Sequence, residues 1–176
     1  MATRFAIYVV PDDEALFQRA SQWLGWDCVA ARLLDPPSGS ELANPAGISI
    51  TEVTATPRKY GFHGTIKPPF SLLDGIDETM LVERALELAA ELSPVTLEAL
   101  EIRSIGGFMA LVPTDAGTAL GALAARFVTG LDEFRTPAAP SELARRRSAG
   151  LTPRQEELLL AWGYPSVLDG FRFHVT

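Results

Sequence analysis

Cysteine is nearly missing from this chain: Cys28 is the only one in 176 residues. One thiol cannot close an internal disulfide, which fits a reducing cytoplasm. Histidine is almost as scarce, with His63 and His174 alone. Two imidazoles and one thiol are too few soft ligands for a zinc site, so no metal is expected. Positive charge is in deficit as well. Fifteen Lys and Arg face 22 Asp and Glu, for a formal net charge of −7. Such a chain has no general attraction to an anionic membrane, or to nucleic acid beyond a short oligonucleotide. Any phosphate it binds must be held by a local cluster of cations. Long apolar runs are lacking too. The run after Arg4 stops at Pro11-Asp12-Asp13, too short for a secretion signal and far too short for a membrane span. The expected location is the cytoplasm, with no membrane partner.

What is present is an ordinary globular balance, 47% hydrophobic and 21% charged, enough for one compact domain or two small lobes sharing a core. Arg4–Val10 reads as a strand, and Asp12 as the cap of a helix running to Leu24 with Gly25 as its stop. Residues 35–47 are rich in breakers and read as a loop. Ile48–Ala55 alternates only loosely, as a weak strand or loop. Tyr60–Ile66 is a strand closed by Lys67-Pro68-Pro69. Asp77 caps a helix to Leu92. Val95–Ile105 and Phe108–Val112 flank Gly106-Gly107 as a hairpin. Thr114–Phe127 and Ser141–Ser148 read as helices, with a loop over 131–140 between them. Thr152 opens another helix with a capping-box pattern, and Phe171–Thr176 reads as a last strand. Hairpins and helices mixed in this order argue for an α+β fold with mainly antiparallel sheet.

The informative feature is an internal echo. Tyr60-Gly61-Phe62-His63-Gly64-Thr65 is matched by Phe171-Arg172-Phe173-His174-Val175-Thr176. In a strand, alternate side chains share a face. Each motif therefore offers one imidazole and one hydroxyl to a common surface: His63 with Thr65, and His174 with Thr176. A neutral imidazole can take a proton from water or a hydroxyl, and an imidazolium can give one to a leaving oxygen. Hydroxyls can hold non-bridging phosphoryl oxygens in the transition state. Arg58, Lys59, Lys67 and Arg172 flank the motifs and supply local positive charge. Composition and spacing alone leave a structural reading, with both histidines packed in sheets, about as open as the chemical one.

Paired His-x-Thr motifs resemble the two-histidine phosphoesterase superfamily, which includes 2′-5′ RNA ligase-like proteins and cyclic phosphodiesterases. The string Arg58-Lys59-Tyr60-Gly61-Phe62-His63-Gly64-Thr65-Ile66-Lys67-Pro68-Pro69-Phe70 is similar to the signature of a phosphonate-metabolism group within it. So are Leu131–Pro137, Glu142–Arg147, Gly150-Leu151-Thr152, Trp162–Pro165 and Phe171–His174. The resemblance implies a bilobed, pseudo-two-fold α+β fold with antiparallel sheets, outer helices and a central cleft. It implies catalysis by His63 and His174, phosphoryl binding by Thr65 and Thr176, no metal or other cofactor, and a small phosphorylated substrate. The activity implied is hydrolysis of a cyclic or linear phosphodiester of a nucleotide or sugar phosphate, and the alternative is a binding module for a phosphorylated metabolite without turnover. In that family more chain follows the second motif, whereas this one ends on Thr176. A single two-lobed domain lacking its last strands or helix is therefore expected.

Lys67, Arg58 and Arg172 are the basic candidates for binding phosphate. Lys67 lies four residues beyond His63, on the same face if the strand continues. Arg145-Arg146-Arg147 reads chiefly as a solvated helix face, and Arg135 as a loop residue within reach of a cleft. Trp23, Trp26 and Trp162 are expected in packing, Cys28 as a small buried residue, and Tyr60 facing away from His63.

Overall fold

The structure is a computed structural model and describes residues 3–35, 37, 47, 49–115 and 117–176. It is a mixed α/β chain with small antiparallel sheets and, among the described residues, six α-helices. In chain order these are β1 (Phe5–Val9), α1 (Glu14–Leu24), β2 (Trp26–Asp27), β3 (Arg32–Leu33), α2 (Ile50–Val53), β4 (Gly64–Phe70), α3 (Glu78–Ala90), β5 (Leu100–Ile105), β6 (Phe108–Pro113), α4 (Thr118–Gly130), α5 (Pro140–Arg147) and α6 (Pro153–Trp162). Strand β1 pairs with β4, β2 with β3, and β5 with β6. No helix among the described residues is long and apolar enough to cross a membrane.

The chain divides into two compact units. One comprises the residues up to Tyr8, Thr65–Glu101 and Val112–His174, and the other the described residues of Val9–Gly64 with Ile102–Leu111 and Val175–Thr176. In the first unit, Ile66 and Phe70 of β4 pack against Leu81 and Leu88 of α3 and Ala124 and Phe127 of α4. Leu131 and Phe134 close this core, and Phe5, Ile7, Phe171 and Phe173 lean on it. A smaller cluster, Val128 with Leu158 and Val167, binds α4 to α6. Burying each large aliphatic side chain contributes about 2 kcal/mol, so this core carries most of the unit's cohesion. In the second unit α1 is capped by Asp13, whose carboxylate accepts from Leu16 N at 3.0 Å, and is ended by Gly25 at φ 75°.

Several local expectations change. The cap of α1 is Asp13 rather than Asp12. Most of the loop expected over 35–47, and Ile48, lie outside the described residues. The expected weak strand at Ile48–Ala55 contains the short helix α2, with Thr54 buried and its hydroxyl donating to Ile50 O at 2.7 Å. Tyr60–His63 is not strand. A 3-10 turn at Pro57–Lys59 and Gly61 at φ 78° hold the chain bent until β4 begins at Gly64. That strand runs through Pro68-Pro69, which a two-stranded ribbon tolerates because each strand has an unpaired edge. Strand β5 starts at Leu100, because its partner β6 ends at Pro113 and Thr114 N closes the ladder on Ala99 O. Helix α4 starts at Thr118, after Gly117 at φ 62°. A 3-10 turn occupies Asp132–Phe134 inside the expected 131–140 loop. The last segment is extended but not a strand: Phe171–Phe173 are unpaired as strand, and only Val175 forms β-bridges, to Gly64 and to Leu111. Trp23 is 41% exposed rather than packed in a core.

Candidate functional site

The first motif is positioned by a tight turn. Gly61 lies so close to Cys28 that a Cβ there would meet Cys28 Cβ at 2.5 Å. Only glycine satisfies both that approach and the left-handed φ. The turn buries Phe62 and sets His63, 9% exposed, with its Nδ1 2.8 Å from Gly61 O. A carbonyl only accepts, so Nδ1 carries the proton and the basic lone pair of the neutral ring is on Nε2. The Tyr60 ring stands 6.3 Å from that of His63. Tyr60 therefore faces the histidine, contrary to the alternation expected of a strand, because residues 60–63 turn.

His63 also meets the chain's end. His63 N donates to Thr176 O at 3.1 Å, and Thr176 N to His63 O at 3.2 Å. Next to them, Gly64 and Val175 form an antiparallel bridge. Residues that exchange both backbone bonds carry their side chains on the same face. Within this unit, then, the imidazole of the first motif and the hydroxyl of the second are neighbours across a ladder. Val175, 2% exposed, is bonded on its other side to Leu111, N to O at 2.8 Å and O to N at 2.9 Å.

The other members lie in the first unit. Thr65 is half-buried in β4. His174 is half-buried, and its Nδ1 is 2.9 Å from Arg172 O. Both histidines thus donate from Nδ1 to the carbonyl two residues back, and both keep the Nε2 lone pair. Sequence alternation does not reveal this shared tautomer lock.

The basic candidates scatter. Arg58 is committed inside the second unit, with Nε on Leu24 O at 2.6 Å and Nη2 on Thr54 Oγ1 at 2.7 Å. Lys59 is exposed. Arg172 is exposed and bonded to Phe171 O at 2.7 Å and Asp169 O at 3.2 Å. In the first unit Lys67 is 2% exposed, donates to Val128 O at 2.8 Å and lies 4.9 Å from the Phe70 ring centroid. Burial lowers its pKa to about 8, Arg135 adds to the lowering, and the Asp132 carboxylate opposes it. Arg135 is held by Asp132 at 2.8 Å and by Ala161 O at 3.1 Å. Of the arginine run, Arg145 and Arg147 are exposed, whereas Arg146 bonds Glu142 at 2.7 Å and stacks over Tyr164. Cys28 is half-buried, and burial pushes its thiol pKa up. No group of three or more His, Cys, Asp or Glu among the described residues could hold a metal ion.

A residue that sequence reasoning missed is Arg4. It bonds Pro69 O at 2.5 Å and Glu142 at 3.0 Å. It shares a cavity of about 150 Å³ with Lys67, Arg135 and Glu142. No motif could have signalled this, since the contact joins residues far apart in the chain.

The family described as "Protein of unknown function (DUF1045)" matches residues 65–176, and the chain belongs to it. Two similar curated proteins carry the name ribose 1,5-bisphosphate phosphokinase PhnN. The one from Janthinobacterium sp. (strain Marseille) is 38% identical over 178 residues, covering 99% of this chain and 38% of that protein. The one from Laribacter hongkongensis (strain HLHK9) is 32% identical over 174 residues, covering 98% of this chain and 39% of that protein. The chain spans about two fifths of the length of these curated relatives. No solved structure matches it.

Proposed function

We propose that the chain is a phosphoesterase acting on a cyclic or linear phosphodiester, with His63 and His174 as the proton-transfer pair. The observation that carries this reading is the shared lock of the two rings, each with Nδ1 on the carbonyl two residues back. Such a lock orients an imidazole and keeps Nε2 as the working nitrogen. One neutral Nε2 takes a proton from water as its oxygen attacks phosphorus. The ester P–O bond breaks, and the other ring, as imidazolium, gives its proton to the leaving oxygen. Thr65 and Thr176 donate hydrogen bonds to the non-bridging oxygens. The backbone pairing of His63 with Thr176 supports a shared role for the two motifs. This reading includes the bilobed, pseudo-two-fold plan of the two-histidine superfamily. It takes the substrate to be a small phosphorylated sugar or nucleotide, in keeping with the resemblance to phosphonate-metabolism proteins and with relatives named for a ribose bisphosphate.

The test is turnover of cyclic nucleotide and cyclic sugar phosphates, followed by phosphorus NMR without added metal. The expected result is a bell-shaped pH–rate profile, with a loss of about 10² to 10⁴ in kcat for His63→Ala and for His174→Ala. Turnover in both variants that is unchanged from that of the unsubstituted chain would refute the mechanism.

The relatives' name favours a second reading, in which this segment serves a phosphokinase by binding a phosphorylated sugar. The 176 residues contain no Gly-x-x-x-x-Gly-Lys-Ser/Thr string, the loop that cradles nucleotide phosphates in P-loop enzymes, so phosphoryl transfer here would use other groups. Transfer from a nucleoside triphosphate to ribose 1,5-bisphosphate, unaffected by the two histidine substitutions, would select it.

A further inference from the structure

Buried charges in proteins are paired, because an isolated ammonium loses its hydration without compensation. Lys67 is 2% exposed, yet among the described residues its one hydrogen-bond partner is a neutral carbonyl, Val128 O, and no carboxylate lies within ion-pair distance. The carboxylate that acts on it electrostatically, Asp132, is itself bonded to Arg135 at 2.8 Å. The other carboxylate, Glu142, is shared by Arg4 at 3.0 Å and Arg146 at 2.7 Å. With Arg145 also 3.8 Å from Glu142, five cations among the described residues thus stand around these two carboxylates, a local excess of positive charge in a chain whose net charge is −7. Lys67, Arg4 and Arg135 all line the same cavity of about 150 Å³, with Tyr164 and Trp162 on its wall. The whole cavity belongs to the first unit. A cavity of about that volume holds a six-carbon ring in an apolar protein, so a tetrahedral oxyanion of five heavy atoms fits with room for a bridging oxygen or carbon.

We propose that this cavity binds the dianionic phosphoryl group of a small phosphate monoester or phosphonate, with Lys67 and the Arg4 and Arg135 guanidiniums as its donors. The charge excess matches a dianion better than a carboxylate. At neutral pH Lys67, with a pKa of about 8, still carries the proton it would donate. The inference does not rest on catalysis by His63 and His174, since none of its residues comes from the two motifs.

The chain has two lysines, Lys59 exposed and Lys67 buried. Protein labelled with carbon-13 lysine therefore gives two side-chain signals, assigned with Lys59→Arg, and Lys59 serves as an internal control. Inorganic phosphate, methylphosphonate and acetate are titrated at constant ionic strength. The expected result is a saturable shift of the Lys67 signal with phosphate and methylphosphonate, at least tenfold weaker with acetate, while Lys59 stays still. Arg135→Met should weaken phosphate at least tenfold, and the His63→Ala/His174→Ala double variant should leave it unchanged. A Lys67 signal that does not move, or moves linearly together with Lys59, would overturn the proposal even if Arg135→Met fails to fold. Acetate binding as tightly as phosphate would overturn the dianion assignment.

Discussion

Replacing Lys67 by methionine measures how strongly its ammonium is desolvated. In the folded chain its pKa is about 8, against an ordinary value of 10.5. The difference corresponds to roughly 3 kcal/mol at about 1.4 kcal/mol per unit. Between those two values the unfolded chain holds the proton more tightly than the folded one, so stability rises with pH through that window. The burial cost is fully present below pH 8 and gone above 10.5. Methionine has a similar length and no charge, so the variant escapes this cost. It also leaves Val128 O without its donor, a loss of about 1–3 kcal/mol at any pH. The two effects offset near pH 7, where wild type and variant should lie within about 2 kcal/mol of each other. Toward pH 10.5 only the lost hydrogen bond remains, and the variant should be weaker by about 1–3 kcal/mol. Urea unfolding followed by tryptophan fluorescence, at steps from pH 7 to 10, reads the gap directly. Comparing the two proteins cancels every other titrating group. Stability profiles that run parallel across this range would show that Lys67 titrates normally, and would remove the buried-charge argument for the cavity.

Other perturbations probe separate parts of the fold. Gly61→Ala puts a Cβ 2.5 Å from Cys28 Cβ at φ 78°, so it should cost about 2 kcal/mol or more in urea unfolding; an unchanged midpoint would show that the turn is not under that constraint. Thr152→Ala removes a capping box on α6, where Gln155 N donates to the hydroxyl at 3.2 Å and Gln155 Oε1 accepts from Thr152 N at 3.0 Å; a loss of about 1 kcal/mol is expected from the same measurement. Leu131 is fully buried, so Leu131→Ala should lower stability by about 2–5 kcal/mol, visible as a fall in Tm. Long-range nitrogen–proton NMR at high pH should find both histidines as the Nδ1–H tautomer, and an Nε2–H ring at either position would break the symmetry on which the proposed chemistry rests.

Much of the architecture was legible in local pattern. Asp77 before an amphipathic stretch, Thr152 with Gln155, and Gly106-Gly107 between two apolar runs each announce a boundary through backbone chemistry that needs no distant partner. Their elements are present, although β5 begins only at Leu100 rather than at Val95. The failures are long-range. Tyr60–His63 looks like strand because its residues suit one, but Gly61 is pressed against Cys28 more than thirty positions earlier, and the chain turns. The end of the chain reads as strand, yet its pairing depends on what Gly64 and Leu111 offer, and only Val175 is bridged.

The candidate site divides the same way. Sequence by itself determined which groups are available: two imidazoles, each with a threonine two residues on, and a single thiol. A repeat of that kind is a property of the string. Tertiary structure decided what those groups and their neighbours are attached to. It put Nδ1 of each ring on a carbonyl, tied Arg58 to Leu24, and drew Lys67 inward to join Arg4 and Arg135 around a cavity. Spacing can say that a lysine lies near a histidine along a strand. Whether its ammonium meets water, a carboxylate or a buried space depends on which distant segments fold over it, and those contacts leave no local trace in the sequence.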